Sequence, residues 1–130
     1  DFQEDLWITE TDQGQIEHVL LNIYVNAWQA MPGGGNLYLE TRNVVVDEDY
    51  EKRYSIKPGK YVKISITDTG MGIDEKIKGR IFEPFFTTKA HGSGLGLSIS
   101  YGIVQEHSGQ ILVQSEVGKG TTFTIILPIA

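Results

Sequence analysis

Apolar residues recur at three- and four-residue steps between residues 12 and 31. Ile16, Val19, Leu20, Ile23, Ala27, Ala30 and Met31 fall on one side of a predicted helix. Asp12 with Gln15 three residues on resembles a capping box at its start, and Pro32-Gly33-Gly34-Gly35 ends it. The period then switches to two. Leu37 and Leu39 alternate with Tyr38 and Glu40, and Val62, Ile64 and Ile66 alternate with Lys63, Ser65 and Thr67, as in half-buried strands. The charged stretch 47–58 between them predicts a loop. A short helix is predicted over 74–82 and a loop over 83–94. A second long helix follows over 95–107, with Leu95, Ile99, Ile103 and Val104 on one side and Gly109 as its stop. Segments 110–115 and 121–127 read as strands joined at Gly118-Lys119-Gly120, a hairpin signal. This order predicts an α+β two-layer sandwich, with helices on one face of a mixed, mostly antiparallel sheet.

Length and composition narrow the classes. The chain has 130 residues, enough for one domain spanning 1–130, and 40% hydrophobic with 22% charged residues suits a packed core. No apolar run approaches the roughly 20 residues of a membrane-spanning helix, and no signal-peptide pattern opens the chain. With no cysteine, disulfides, zinc–thiolate sites and thiol nucleophiles are excluded, which fits a reducing compartment. A net charge of −6 and a pI near 4.9 make a poor nucleic-acid partner, which needs clustered Lys and Arg. The chain begins at Asp1 without an initiator methionine and reads as a piece of a longer protein.

Five segments carry candidate chemistry. Asn22 and Asn26 lie four apart and share one helix side with His18 and Gln29. They form either a solvated face or a pair of neutral oxygen ligands for a hard cation such as Mg²⁺, whose shell phosphates and water complete. Asp68-Thr-Gly-Met-Gly-Ile73 follows a strand directly. It is either an ordinary Asp-Gly turn or a carboxylate placed to accept a hydrogen bond from an exocyclic amine such as that of adenine. Gly92-Ser-Gly-Leu-Gly-Leu-Ser98 opens a helix, where bare N–H groups bind phosphate, yet it matches neither a dinucleotide fingerprint nor a P-loop. Ile81-Phe-Glu-Pro-Phe-Phe-Thr-Thr-Lys89 gathers three phenylalanines, either plain core or the anchor of a movable lid, and Lys89 is either a surface lysine or a cation facing phosphate. Gly118-Lys-Gly-Thr-Thr-Phe123 is a hairpin turn whose threonine could also reach a ligand. His18, His91 and His107 show no metal-ligand spacing; His107 ends a helix and His18 is expected to be exposed.

In order and spacing these five segments resemble the N, G1, F and G2 boxes and the final glycine-threonine turn of the ATP-binding catalytic domain of sensor histidine kinases. That family shares a superfamily with DNA gyrase B, the heat-shock chaperone ATPases and the mismatch-repair ATPases. The likeness covers nearly the whole chain, and Phe85-Phe-Thr-Thr-Lys89 resembles the nitrogen-regulatory and hybrid-kinase branch. It implies a Bergerat-type ATPase fold that binds ATP with Mg²⁺ and passes the γ-phosphoryl group to a histidine. The implied roles are Asn26 on Mg²⁺ with Asn22 assisting, Asp68 on the adenine amine, and Gly70, Gly72 and Ile73 beside the base. Gly92, Gly94, Leu95, Gly96 and Leu97 would form the lid hinge and phosphate cradle, Lys89 would meet phosphate, Thr122 would support the adenine end, and Phe82 and Phe85 would fasten the lid.

Two positions depart from the family pattern. Gln29 stands where many members carry a Lys or Arg that meets phosphate; that cation is either missing or replaced by Lys89, and the lid over 90–92 is short. In the ATP-hydrolysing relatives a general-base glutamate occupies the position of Asn22. An amide takes no proton, so the resemblance implies slow hydrolysis and transfer to a nucleophile supplied from elsewhere. That partner would be a dimerisation domain of the same protein carrying the phosphoacceptor histidine, with a response-regulator receiver downstream. The isolated chain is expected to be a cytoplasmic monomer, the membrane attachment of its parent being open. The competing readings are a nucleotide-binding regulatory module without transfer, and a superfamily ATPase or serine kinase.

Overall fold

A computed structural model of the protein describes residues 13–49, 56–83 and 96–129. The elements are α1 (Gln13–Gln29), β1 (Leu37–Val46), β2 (Gly59–Asp68), α2 (Glu75–Lys78), α3 (Gly96–Glu106), β3 (Gln110–Glu116) and β4 (Gly120–Pro128). The four strands form one sheet in the order β1-β2-β4-β3, and every adjacent pair is antiparallel. The described sheet is thus antiparallel throughout, with the expected helices on one face.

Strand alternation explains the layering. Ile66 of β2 pairs with Phe123 of β4, which pairs with Val113 of β3, and all three side chains point the same way. Helices α1 and α3 cover that face. Val19 and Ile23 from α1, with Ile103 and Val104 from α3, close on Ile66, Ile111, Phe123, Ile125 and Leu127. A smaller cluster on the outer face gathers Val46, Ile56, Tyr61 and Ile126. Tyr61 is buried there, its hydroxyl donates to the Lys57 carbonyl at 2.7 Å, and burial raises its pKa above the ordinary tyrosine value.

Several boundaries differ from the sequence pattern. β1 continues to Val46, into a Val44-Val45-Val46 run where alternation of residue type disappears because Val44 and Val46 serve the outer cluster. The short helix is a single turn, Glu75–Lys78, capped by Asp74, whose carboxylate accepts the Lys76 N–H at 2.8 Å. Helix α3 ends on Ser108, which takes the left-handed φ of 60°. The Ser108 N–H donates to the Gln105 carbonyl at 3.0 Å and the Gly109 N–H to the Val104 carbonyl at 3.0 Å, a Schellman ending with serine at the left-handed position. Asp12 of the expected capping box lies outside the described residues, and so does most of the predicted loop 83–94. No described helix is long and apolar enough to cross a membrane.

Helix α1 carries two sets of apolar residues. Ile23 is fully buried, whereas Leu21, Val25 and Trp28 are exposed on the other side. Ile23→Ala is expected to lower stability by about 2–5 kcal/mol, and Leu21→Ala to change it by less than about 0.5 kcal/mol. Urea denaturation midpoints of the two variants check this.

Candidate functional site

The turn after β2 is held from both sides by backbone. Asp68 ends the strand on the helix-covered face, is 5% exposed, and sits opposite Thr121 in the ladder. Its Oδ1 accepts the Gly70 N–H at 2.8 Å, which fixes the carboxylate across its own turn. Among the described residues no donor reaches Oδ2. On one side, the Met71 N–H donates to the Ala30 carbonyl at 3.1 Å, at the end of α1. On the other, the Gly118 N–H at the β3–β4 hairpin donates to the Met71 carbonyl at 2.9 Å. The Ile73 N–H donates to Ser115 Oγ at 2.7 Å, and Ser115 Oγ lies 3.0 Å from the Gly120 carbonyl and 2.8 Å from Thr121 Oγ1.

These contacts give the two glycines a packing reason of their own, beside the expectation that they let a base lie close. A Cβ on Gly70 would lie 2.6 Å from the Ala30 carbonyl oxygen. Gly72 adopts φ +76°, and a Cβ there would collide with the Glu116 carbonyl. The protein's own backbone fills the space that a side chain would need.

Helix α1 links this turn to α3. Residues 22, 26 and 30 follow one another at four-residue steps, so they run along one side of the helix over about 12 Å. Ala30 meets the Gly70 turn at one end. Asn22 meets the first turn of α3 at the other, its Nδ2 donating to the Gly96 carbonyl and to Ser100 Oγ, both at 3.1 Å. Asn26 lies between them, half-buried, with its Nδ2 donating to the Asn22 carbonyl at 2.8 Å. The stripe therefore runs from a carboxylate turn to a helix N-terminus, whose first N–H groups have no partner within the helix.

The register places one residue differently from the expectation. Thr122 does not share a face with Asp68: its Oγ1 pairs with Thr67 Oγ1 at 2.9 Å on the outer side of the sheet. An open hollow of ≈ 340 Å³ at this end of the sheet is lined by Thr122 and Thr67 and also by Asp68, Thr121, Gln114 and Lys119. The hydroxyl on the Asp68 face is that of Thr121, one residue earlier and buried. Phe82 is half-buried and packs on α3 and β4, with ring centroids 5.3 Å from Tyr101 and 6.4 Å from Phe123. Leu97 packs against the main core, and Gly96 lies against Asn22. Phe85, Lys89, His91, Gly92, Gly94 and Leu95 lie outside the described residues. His18 is exposed, and His107 Nδ1 lies 2.8 Å from the Ile103 carbonyl at the end of α3.

The sequence signal for Ser100, Ser115 and Thr121 was polarity at inward-facing positions. Ser115 follows Ile111 and Val113 at period two, Thr121 precedes Phe123 and Ile125, and Ser100 sits between Leu97 and Ile103 on the core side of α3. Among the described residues no three His, Cys, Asp or Glu side chains gather as a metal site. A cation here would depend on amide oxygens and on its own ligands.

Comparison with known proteins agrees with this geometry. Residues 11–130 match the family described as histidine kinase-, DNA gyrase B-, and HSP90-like ATPase. Sensor kinase CckA of Brucella abortus (strain 2308) is 48% identical over 131 residues, which is 98% of this chain and 14% of that protein. Sporulation kinase E of Bacillus subtilis (strain 168) is 40% identical over 129 residues, 99% of this chain and 16% of that protein. The chain thus spans a small part of the length of both relatives. Among solved structures, a mycobacterial sensor histidine kinase, MprB, superposes with a TM-score of 0.73 at 31% identity, over 95% of this chain and 76% of that one. Full-length ShkA in complex with AMPPNP gives 0.76 at 28% identity, over 99% of this chain and 24% of that one.

The backbone contacts of the turn set an ordering of glycine substitutions. Gly118 adopts φ +84° with open space around it, so Gly118→Ala is expected to cost about 1–2 kcal/mol of strain alone. Gly72→Ala adds a backbone collision to the same strain and is expected to cost about 2–5 kcal/mol. Denaturant midpoints that rank the two in reverse order would contradict the packing described.

Proposed function

Because the chain belongs to the histidine kinase-, DNA gyrase B- and HSP90-like ATPase family, we propose that residues 1–130 form the catalytic domain of a protein-histidine kinase, which binds Mg-ATP and transfers its γ-phosphoryl group to a histidine on a separate domain. The observation that supports this best is the stripe along α1, which joins the Asp68 turn at Ala30 to the first turn of α3 at Asn22. It offers a hydrogen-bond acceptor for a base at one end and helix N–H groups for phosphates at the other.

Each residue has a part in that reading. Asp68 Oδ1 is held by the Gly70 N–H, so Oδ2 accepts the adenine amine. Thr121, beside it on the same face, replaces Thr122 as the hydroxyl at the adenine end, and Ile73 supplies apolar surface. The N-terminal turn of α3, entered from the glycine run through Gly96, receives the phosphates, with Lys89 as their cation. Asn26 presents a neutral amide oxygen midway along the stripe. One such ligand suits Mg²⁺, which takes few protein ligands and leaves the rest to phosphate and water. When bound, Mg²⁺ neutralises charge that builds on the phosphate oxygens. Phe82, fixed between Tyr101 and Phe123, anchors the segment that leads to the lid.

Transfer follows from position. A neutral imidazole nitrogen of the acceptor histidine attacks the γ-phosphorus as the bond to the β,γ-bridging oxygen breaks and ADP leaves with that electron pair. The chain contributes orientation and charge stabilisation, which supply most of the catalysis in phosphoryl transfer. The acceptor belongs to a dimerisation domain of the same protein, with a response-regulator receiver as the next partner and the cytoplasm as the compartment that supplies ATP. The kinase names of CckA and sporulation kinase E support this assignment.

Calorimetric titration with ATP, with and without Mg²⁺, tests the binding site. Asp68→Asn is expected to weaken ATP binding by about 10- to 100-fold, the worth of a charged hydrogen bond. Asn26→Ala is expected to remove most of the Mg²⁺ dependence. Incubation with ATP and an acceptor-histidine domain should give an acid-labile phosphorylated product. Rapid hydrolysis without transfer, or an acid-stable phosphoserine, would sink the kinase reading.

A further inference from the structure

Position 22 faces α3 across the packed helix pair, and what α3 presents to it is unusual. Ser100 is fully buried, and its hydroxyl donates to the Gly96 carbonyl at 2.9 Å. A serine hydroxyl has one proton and two lone pairs, so with its proton committed Ser100 can only accept. The Gly96 carbonyl can also only accept. Position 22 therefore meets two acceptors side by side, and the Asn22 amide nitrogen satisfies both at 3.1 Å. The amide lies close to Gly96, where an added Cβ would be 3.8 Å from Asn22 Cγ and 3.9 Å from Oδ1. A carboxylate in this place would set a negative charge against two lone-pair atoms, and an aliphatic side chain would leave a buried hydroxyl and carbonyl short of a donor.

We infer that Asn22 is a positioning residue that acts through Gly96 and Ser100, rather than a ligand assisting Asn26 on the cation. Its amide clamps the first turn of α3 to α1, one helical turn from Asn26. The inference rests on the nucleotide-site reading above, in which that turn of α3 holds the phosphates. The adenine end has separate supports, from Ala30, Ser115 and the β3–β4 hairpin. Loosening the clamp thus affects the phosphate end and leaves the base end in place. The same clamp restricts which residue position 22 accepts: two acceptors on α3 select an amide donor there and disfavour a carboxylate base.

The test is a double-mutant cycle on the whole 130-residue chain, with Asn22→Ala, Ser100→Ala, their combination and Asn22→Asp. ATP and AMP affinities are measured by calorimetry at saturating Mg²⁺, and Mg²⁺ is titrated at fixed ATP. Asn22→Ala is expected to weaken ATP binding by about tenfold and Ser100→Ala by about two- to fivefold, in line with removal of one or two hydrogen bonds. AMP affinity should stay unchanged, and the double variant should bind ATP no worse than Asn22→Ala alone. Asn22→Asp should behave like Asn22→Ala, with an unchanged Mg²⁺ midpoint. A merely structural role would lower AMP and ATP affinity together, and that result overturns the inference. So does an Asn22→Asp variant that shifts the Mg²⁺ midpoint while Ser100→Ala is neutral. Retained AMP binding shows that a variant is folded, and Ser100→Ala, which removes a single hydroxyl, carries the test alone if Asn22→Ala does not fold. A wild-type chain that binds neither nucleotide overturns the site reading itself, a result distinct from failure of the clamp.

Discussion

The close approach of three backbone segments at the turn after β2 governs the rest of the site. The carbonyls of Ala30 and Glu116 occupy the two directions that side chains at residues 70 and 72 would take. Only glycine lets α1, the turn and the β3–β4 hairpin meet at that spacing. Once they meet, the remaining geometry follows. The Met71 N–H and carbonyl are used by Ala30 and Gly118, the Asp68 carboxylate is folded back onto the Gly70 N–H, and α1 is fixed in direction at its C-terminal end. Asn26 and Asn22 then stand one and two turns back from that anchor. A helix fixed by burial of Val19 and Ile23 alone would have its axis set by soft side-chain packing. Backbone hydrogen bonds at one end set its register as well.

The layered fold was legible because its periods are clean. Ile64, Ile66 and Phe123 alternate with polar residues as strands covered on one face do, the inward side of α1 repeats at three and four, and β4 loses the alternation only at Ile126, which serves the outer cluster. The limits of β1 were not legible, because Val44, Val45 and Val46 break alternation where the outer face has its own small core. The end of α3 was misplaced by one residue for a physical reason. Glycine is the usual left-handed residue, yet here Ser108 takes φ 60° and Gly109 supplies the N–H that reaches Val104. On α1 the outward Leu21, Val25 and Trp28 are as apolar as the buried set, so composition alone could not sort the two sides.

The candidate site was legible as segments but not as a register. Asp68, Asn26 and the glycine run were conspicuous as residue types in sequence. Which of two adjacent threonines shares a face with Asp68 depends on the pairing of β2 with β4, and the ladder puts Thr121 opposite Asp68 and Thr122 opposite Thr67. The roles of Gly70 and Gly72 were likewise hidden, since their neighbours Ala30 and Glu116 lie 40 or more positions away in the chain. Ser115 illustrates the same limit. Its hydroxyl bridges the Ile73 N–H to the β4 strand, a use that no local pattern announces.

On the proposed reading the site has a base end at the Asp68 turn and a phosphate end at the first turn of α3, and the two are built differently. The base end is fixed by main-chain hydrogen bonds and by backbone contacts that exclude side chains, so most substitutions there act on the fold before they act on binding. The phosphate end is joined to α1 through one side-chain amide and one buried hydroxyl. Neither of those two contacts involves the main chain of α1 or the sheet. The supports of the Asp68 turn and those of the first turn of α3 are therefore separate sets of contacts. On the proposed reading, the two acceptors that Gly96 and Ser100 present to position 22 favour an amide there over a carboxylate, whichever nucleotide the Asp68 turn holds.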